Sequence, residues 1–303
     1  MVSIRSLLSR FIGLLALLLA SAMPFAPTVL AAETAAPAER YSRGLLWRVS
    51  KEGQADSYIF GTMHLADPRV QMSPAAAEAF AGAKRSVVEA FTDEAAMQAA
   101  GQYAILPPKV QMRSLVGPRY FAKVAKDLER RGIPAEATNR LRPVFATIML
   151  MLPAKQGAPL DTQLDQSAAD RGAERWALET PDEQARMLAN IPLKLQAMVL
   201  QDAVDQGGKV TADLEKMIKA YAAGDLSTLQ DYMDVPTGKR APKYMGAFKR
   251  AVFDERNVTM VERMQLILSL GEAFVAIGAG HLPGKNGVLS LLEQRGYSVN
   301  LVQ

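Results

Sequence analysis

The sequence predicts an α/β fold with a central mixed, largely parallel sheet, flanking helices and a large helical insertion. Short apolar runs alternate with helical segments, which is typical of parallel βαβ units. The stretch from about 92 to 173 is instead mostly helical and broken by prolines, so we expect it to be inserted between two strands. At 303 residues and 49% hydrophobic content, the chain can bury a full core.

The N-terminal 32 residues have the layout of a secretory signal peptide. Arg5 and Arg10 precede an uncharged apolar stretch that ends in small residues near Ala31. We expect cleavage after Ala31 or one residue later, and export to the periplasm or the medium. The alternative is an uncleaved membrane anchor through residues 11–32, which carry no charge and could cross ~30 Å of hydrocarbon. The prolines of this stretch favour cleavage.

Composition excludes several classes of function. Loss of residues 1–32 removes two arginines and no acidic residue, so the formal net charge falls from +4 to +2. Basic and acidic side chains alternate, so we expect no nucleic-acid partner and no membrane contact beyond an uncleaved anchor. The chain has no cysteine, which rules out disulfides, thiolate metal sites and a cysteine nucleophile.

After a flexible lead-in over residues 33–43, we predict a single domain over residues 44–303. Strands are predicted at 44–51, 56–64, 84–91, 174–179, 272–281 and 297–302. The first two are β-rich runs separated by a short EGQA turn, so they form a hairpin. Ser73 and Pro74 supply an N-cap and a first-turn proline for a helix between the second and third strands.

The second half of the domain begins with a capping signal. Thr180, Pro181 and Glu183 form a capping box with proline at the first helical position, so a helix starts there. Further helices are predicted to about residue 270, followed by the fifth strand. A last helix is predicted to begin near Lys285.

The chain contains two histidines, and both stand in the same local pattern. His64 follows an apolar strand, Gly61 and two residues; His281 follows an apolar strand, Gly278 and two residues that include Gly280. Ligands of open α/β sheets bind at the carboxyl ends of strands, where both histidines are predicted to lie. A lone histidine is more often structural, but this matched pair favours function.

Glu89 and Glu179 also end predicted apolar strands. A buried carboxylate is costly unless it is paired or bound to a metal. Two histidines and a carboxylate suit Zn, Mn, Fe or Co. We therefore predict that His64, His281 and Glu89 bind a divalent metal ion, with Glu89 as ligand or general base. For Glu179 a structural role at the helix N-terminus is favoured over a supporting role in the site.

Arg256 and Asn257 open an amphipathic helix near its buried face. A buried guanidinium needs an anionic partner, which could be a glutamate, a substrate carboxylate or a developing oxyanion. The alternative is a surface ion pair with Asp254 or Glu255, and the spacing does not decide between them. Arg256 is therefore a candidate catalytic residue and Asn257 a candidate supporting residue.

Three other features are interpreted more simply. Asp161 and Asp165, four residues apart on a predicted helix, are expected to be solvated charges. The glycine-rich segment 276–287 resembles a phosphate loop, but its spacing fits neither a Walker motif nor GxGxxG. Lys285 remains a candidate anion contact.

Several motifs together resemble the TraB/GumN/TIKI family: the paired GxxH motifs, VVEA, WALETPDEQ, the ERN helix opening and GAGHLPGKNGVLSLLEQRGY. The resemblance covers most of residues 44–303. It implies an α/β fold shared with erythromycin-esterase-like and ChaN-like proteins. Animal TIKI members are metal-dependent proteases using Mn or Co, and TraB members act against peptide pheromones. By motif, the resemblance places His64, Glu89 and His281 at a metal or catalytic site, with Arg256 in support.

The leading hypothesis is a metal-dependent hydrolase, peptidase-like, that acts on peptides or proteins with Mn, Co or Zn. The alternative is an exported, non-catalytic protein that binds a peptide or haem in the same cleft.

Overall fold

The computed structural model describes residues 41–154, 157–234, 240, 246 and 249–303. The predicted signal peptide lies outside the described residues, as does most of the predicted lead-in. The strands are β1 (Leu46–Ser50), β2 (Ser57–Thr62), β3 (Arg85–Val88), β4 (Glu174–Ala177), β5 (Ala273–Gly278) and β6 (Ser298–Leu301). All six predicted strands are therefore confirmed, each slightly shorter than predicted.

The strands form one mixed sheet in the order β4-β3-β5-β2-β1-β6. The pairs β3–β4, β3–β5 and β2–β5 are parallel, whereas β1 pairs antiparallel with β2 and with β6. The predicted hairpin is the β1–β2 pair, with Leu46 opposite Phe60. Strand β5, close to the C-terminus, inserts between β2 and β3 and is buried at every position. The predicted fold class is confirmed.

Helices cover the sheet and fill the predicted insertion. They are α1 (Pro74–Gly82), α2 (Glu94–Ala100), α3 (Met112–Val116), α4 (Pro118–Arg130), α5 (Ala135–Arg140), α6 (Pro143–Met151), α7 (Leu160–Asp170), α8 (Pro181–Asn190), α9 (Leu193–Gln206), α10 (Gly208–Ala222), α11 (Leu226–Asp234), α12 (Glu255–Leu270) and α13 (Val288–Gln294). Helices α2 to α7 lie between β3 and β4, where the insertion was predicted.

Local sequence explains how the helices next to the sheet begin. Ser73 caps α1 by accepting a hydrogen bond from the Ala76 amide, with Pro74 in the first turn. Thr180 and Glu183 form the predicted capping box of α8. Helix α12 buries one face against the sheet, because its apolar side chains recur every three or four residues.

Two boundaries differ from the prediction. Tyr41 is fully buried and packs edge-on against Trp47, so the folded part begins before residue 44. The last helix begins at Val288 rather than near Lys285, because residues 284–287 form a turn closed by a Gly287 N–H bond to the Gly284 carbonyl. Within the described residues, no helix has the length and apolar character needed to cross a membrane.

Candidate functional site

Four neighbouring parallel strands end at one edge of the sheet and bring the predicted site residues together. In sheet order, Glu179 follows β4, Glu89 follows β3, His281 follows β5 and His64 follows β2. All four are buried, with at most 7% of the residue exposed. The common edge that the sequence predicted is therefore where these side chains lie.

The two imidazoles approach the same carboxylate oxygen. The Oε1 atom of Glu89 lies 3.7 Å from Nε2 of His64 and 3.9 Å from Nε2 of His281. The same oxygen accepts a 2.7 Å hydrogen bond from the Gly278 amide. The backbone at the end of β5 thus fixes the carboxylate between the two rings.

Arg256 holds the carboxylates from the other side. Its Nε donates to Glu179 at 2.9 Å, and its Nη2 donates to Glu89 Oε2 at 2.7 Å and also to Glu179. Its Nη1 donates to the Val252 carbonyl and lies 3.3 Å from His281 Nε2. Every N–H of this guanidinium therefore has an acceptor within the protein. The anionic partners left open by the sequence are Glu89 and Glu179, and Glu179 lies within the cluster.

The Glu89 carboxylate is kept ionised. Burial by itself would raise its pKa, but the nearby Arg256 guanidinium, together with the protonated His64 ring, lowers the pKa well below the ordinary value. A carboxylate with so low a pKa is a poor proton acceptor at neutral pH.

His64 has an unexpected partner. Its Nδ1 donates to Oδ2 of Asp161 at 2.7 Å, and both residues are buried. The prediction of a solvated charge is wrong for Asp161, because α7 turns this residue toward the sheet edge. Asp165 lies nearer the surface and is not simply solvated either, because its carboxylate pairs with Arg175. Burial would lower the pKa of His64, but the Asp161 and Glu89 carboxylates outweigh burial and raise it to about 10.

His281 is held by an amide instead. Asn257 Nδ2 donates to the Asn286 carbonyl, which turns its Oδ1 toward His281 Nδ1, 2.6 Å away. Nδ1 therefore carries the ring proton, and Nε2 presents a lone pair toward Glu89 and Arg256. Burial and the adjacent Arg256 guanidinium lower the pKa of His281 to about 3, so the ring is neutral.

Gly61 lets the two histidine loops pack together. A Cβ on Gly61 would lie 2.9 Å from a Leu282 methyl, 3.0 Å from the Ala279 Cβ and 3.1 Å from the Ala279 Cα. The Gly61 carbonyl accepts a 2.9 Å hydrogen bond from the Tyr221 hydroxyl. The first glycine of the repeated pattern is thus required by the contact between the two loops.

A small cavity of about 20 Å³ opens beside His64, Glu89, Asp161 and Gln184. It has room for one water molecule or one ion. The His64 Nε2 atom and the Asp161 Oδ1 atom are buried without a hydrogen-bond partner. A larger cavity, of about 570 Å³, lies beside β1 and Tyr221, and neither histidine lines it. We place the candidate site at the small cavity, because His64 and Asp161, which line it, each have a buried polar atom without a partner.

The residues fit a metal ion in kind but are not arranged as a formed metal centre. Among the described residues, no group of three or more His, Asp and Glu side chains is set to hold one. Ligands of a tetrahedral site lie ~3.4 Å apart, and the observed 3.7 and 3.9 Å separations are a few tenths longer. His281 Nε2 would also have to leave its contact with Arg256.

Two residues of the site, Asp161 and Gln184, were not identified from the sequence. One residue that was proposed from it, Lys285, does not lie in the cluster. Asp161 carried no local signal, whereas Gln184 lies in the first turn after the capping box. Gln184 Nε2 donates to Glu179 at 3.1 Å and to Glu89 at 3.3 Å. Lys285 is exposed, and among the described residues no hydrogen bond or ion pair joins it to the cluster. Its role as an anion contact stays a prediction.

Fold and site define an α/β protein with a buried histidine–carboxylate cluster at the carboxyl edge of its parallel strands. The model of the TraB/PrgY/gumN family matches residues 45–301, and the chain belongs to this family. The resemblance drawn from the motifs is confirmed.

Curated relatives include proteins named as metalloproteases. Metalloprotease TIKI1 of Danio rerio is 25% identical over 84% of this chain and 62% of its own length. Metalloprotease TIKI homolog of Nematostella vectensis is 24% identical over 85% and 67%, and Metalloprotease TIKI1 of Homo sapiens is 25% identical over 87% and 63%. The chain thus spans slightly under two thirds of the Danio rerio relative. No solved structure gives a significant match.

Proposed function

We propose that this protein is a metal-dependent hydrolase that cleaves peptides or proteins at the His64–Glu89–His281 cluster. The observation that carries the proposal is the approach of both Nε2 atoms to one oxygen of Glu89. The relatives named as metalloproteases support the reaction class. The proposed metal ligands are His64 Nε2, His281 Nε2 and Glu89 Oε1.

The charges of the cluster favour a cation. With both histidines neutral, one guanidinium faces three carboxylates: Arg256 against Glu89, Glu179 and Asp161. The two surplus negative charges are those that a divalent ion neutralises, and charges left unbalanced in a buried site are costly. The proton that His64 carries in the absence of metal would leave when the ion binds. The electrostatics are therefore consistent with a divalent ion rather than a monovalent one.

When bound, a divalent ion would polarise the scissile carbonyl and lower the pKa of an attacking water. Glu89 suits the role of ligand better than that of general base, because its pKa is low and both of its oxygens accept hydrogen bonds. Arg256 holds Glu89 and Glu179 in place. It has no spare N–H for an oxyanion unless it releases His281, so we assign it a holding role before a catalytic one.

The small cavity leaves no room for a peptide beside His64 and Glu89. It holds one water or ion beside His64 and Glu89, and Gln184 lies at its wall. The substrate itself must therefore lie over the cavity rather than within it. The small volume of the cavity also argues against the alternative that His64 binds haem, since a porphyrin does not fit beside it.

A metal measurement tests the metal site directly. Purified protein equilibrated with Mn²⁺, Co²⁺ or Zn²⁺ and then desalted should retain close to one ion per chain by elemental analysis. The variant with both His64→Ala and His281→Ala should retain none. Asp165→Asn, which removes a surface ion pair outside the cluster, should retain the wild-type amount. Equal metal content in the double variant and the wild type would refute the site.

Turnover separates the hydrolase from the alternative of a non-catalytic peptide-binding protein. A library of internally quenched peptides should be cleaved by the metal-loaded protein, with cleavage abolished by a chelator and by Glu89→Gln. Tight peptide binding without cleavage of any library member would instead favour the binding protein.

We further propose that the protein is exported, which rests on the layout of residues 1–32. N-terminal sequencing of protein from a fractionated cell should find a chain that begins after Ala31 or Ala32 in the periplasm or medium. An intact N-terminus in the membrane fraction would favour the anchor.

A further inference from the structure

Asp161 has a buried position that its contacts with the rest of the fold do not explain. It is the second residue of α7, a helix fixed to the core by the buried side chains of Leu160, Leu164 and Ala168. Within the described residues, one hydrogen bond of Asp161 is seen, from His64 Nδ1 to Oδ2, and Oδ1 has no partner. A buried carboxylate with a single partner is costly for stability. This points to a role at His64.

The contact with Asp161 determines the orientation of the His64 ring. Because Nδ1 donates to Asp161, Nε2 is directed toward the cavity and Glu89, and Nε2 is the atom left without a partner. Metal-binding histidines usually hold their second ring nitrogen in such a contact, which fixes the ring orientation. On the other side of the cluster, Asn257 makes the equivalent contact with His281.

We propose that Asp161 is a positioning residue that holds the His64 ring with Nε2 facing Glu89, an inference that rests on the proposed function of the cluster. Asp161 lies 97 residues from His64 along the chain, in the helical insertion. The insertion therefore completes the site through α7, in addition to covering the sheet.

The matched control lies one turn further along the same helix. Asp165 carries the same side chain, but its carboxylate binds Arg175 at the surface. Asp161→Ala removes the contact with His64, Asp161→Asn keeps an acceptor of the same shape, and Asp165→Asn tests the general effect of losing a charge from α7.

The first measurement needs neither metal nor activity. Since the chain has two histidines, NMR of metal-free protein labelled with ¹⁵N-histidine reports two rings, and His281→Gln assigns them. We expect the His64 Nδ1–H to give a slowly exchanging downfield resonance in the wild type, in Asp161→Asn and in Asp165→Asn. The resonance should be lost in Asp161→Ala.

The second measurement is Co²⁺ affinity by absorption titration. Asp161→Ala should weaken binding ~10–100-fold, the usual effect of removing a partner of a metal-bound histidine. Asp161→Asn should bind better than Asp161→Ala, and Asp165→Asn should match the wild type.

Either of two results overturns the inference: a His64 Nδ1–H resonance that persists in folded Asp161→Ala, or equal Co²⁺ affinities for Asp161→Ala and Asp161→Asn. If Asp161→Ala does not fold, the wild-type spectrum decides, because the absence of a slowly exchanging His64 Nδ1–H also refutes the contact. Protein that binds no metal at all would refute the proposed function while leaving the NMR test intact.

Discussion

The two histidine loops have nearly the same local sequence and opposite electrostatics. His64 and His281 each follow a strand, a glycine and two residues, and both present Nε2 to Glu89 Oε1 at similar distances. His64 is held by a carboxylate, lines the small cavity and has a pKa raised to about 10. His281 is held by an amide, lies beside Arg256 and has a pKa lowered to about 3.

The difference arises from the helices that pack on each loop. Helix α7 brings a carboxylate to His64, whereas α12 brings an amide and a guanidinium to His281. The repeated GxxH pattern therefore sets where each imidazole lies, and residues distant in the chain set its charge. Without metal, one ring is protonated and the other neutral at the same pH.

The largest expected effect comes from removing the cation on the His281 side. Arg256→Leu leaves Glu89 and Glu179 buried without their partner, which should lower the free energy of unfolding by ~3–5 kcal/mol. Urea unfolding followed by circular dichroism measures this. Arg263→Leu, on the same helix but with a half-exposed pair to Glu183, should cost only ~0–1 kcal/mol. Equal losses in the two variants would contradict the buried network.

A substitution at the contact between the two histidine loops should cause the second-largest loss of unfolding free energy. Gly61→Ala places a methyl group against Leu282 and Ala279, so it should cost ~1–3 kcal/mol of unfolding free energy and weaken Co²⁺ binding. Gly82, at the end of α1, has no atom within 4 Å of the added Cβ, so Gly82→Ala should be neutral or stabilise by up to ~1 kcal/mol. If Gly61→Ala behaves like Gly82→Ala, the loops do not depend on this close contact.

Replacing the amide partner of His281 by a carboxylate should reduce the difference in pKa between His281 and His64. Asn257→Asp gives His281 a carboxylate like that of His64, and a nearby negative charge favours the protonated ring, so the pKa of His281 should rise from about 3. An NMR titration of metal-free protein measures both rings, with His64 as the internal reference. An unchanged His281 pKa would mean that burial and Arg256, not the partner, determine its charge.

The smallest expected loss of unfolding free energy comes from replacing Glu183, whose carboxylate is half-exposed. It provides a comparison for the buried carboxylates of the cluster. The Arg263 guanidinium lowers the pKa of Glu183 to about 2. Because the folded pKa lies below the ordinary value, its stabilising effect is complete above pH ~4.5 and is lost as the pH falls toward 2. Glu183→Gln should therefore cost at most ~1 kcal/mol at pH 7 and progressively less in acid. A cost that grows in acid would reverse the predicted sign.

Much of the fold could be predicted because its signals are local. Six apolar runs became six strands, and the capping signals at Ser73 and Thr180 began helices where expected. The start of the last helix was misplaced, because Lys285 and its neighbours form a turn whose closure depends on Gly284 and Gly287. Local signals do not distinguish such a turn from the first turn of a helix.

The sequence by itself determined that two histidines and two glutamates lie at the ends of strands, since the alternation of strands and helices is encoded locally. The order of those strands, which makes the four neighbours, came from the structure. Only the tertiary structure decided which partners they meet. Asp161 reaches His64 across 97 residues, and Arg256 reaches Glu89 across 167. Such contacts depend on how whole helices pack, so the charges of the two rings follow from packing rather than from the motif that they share.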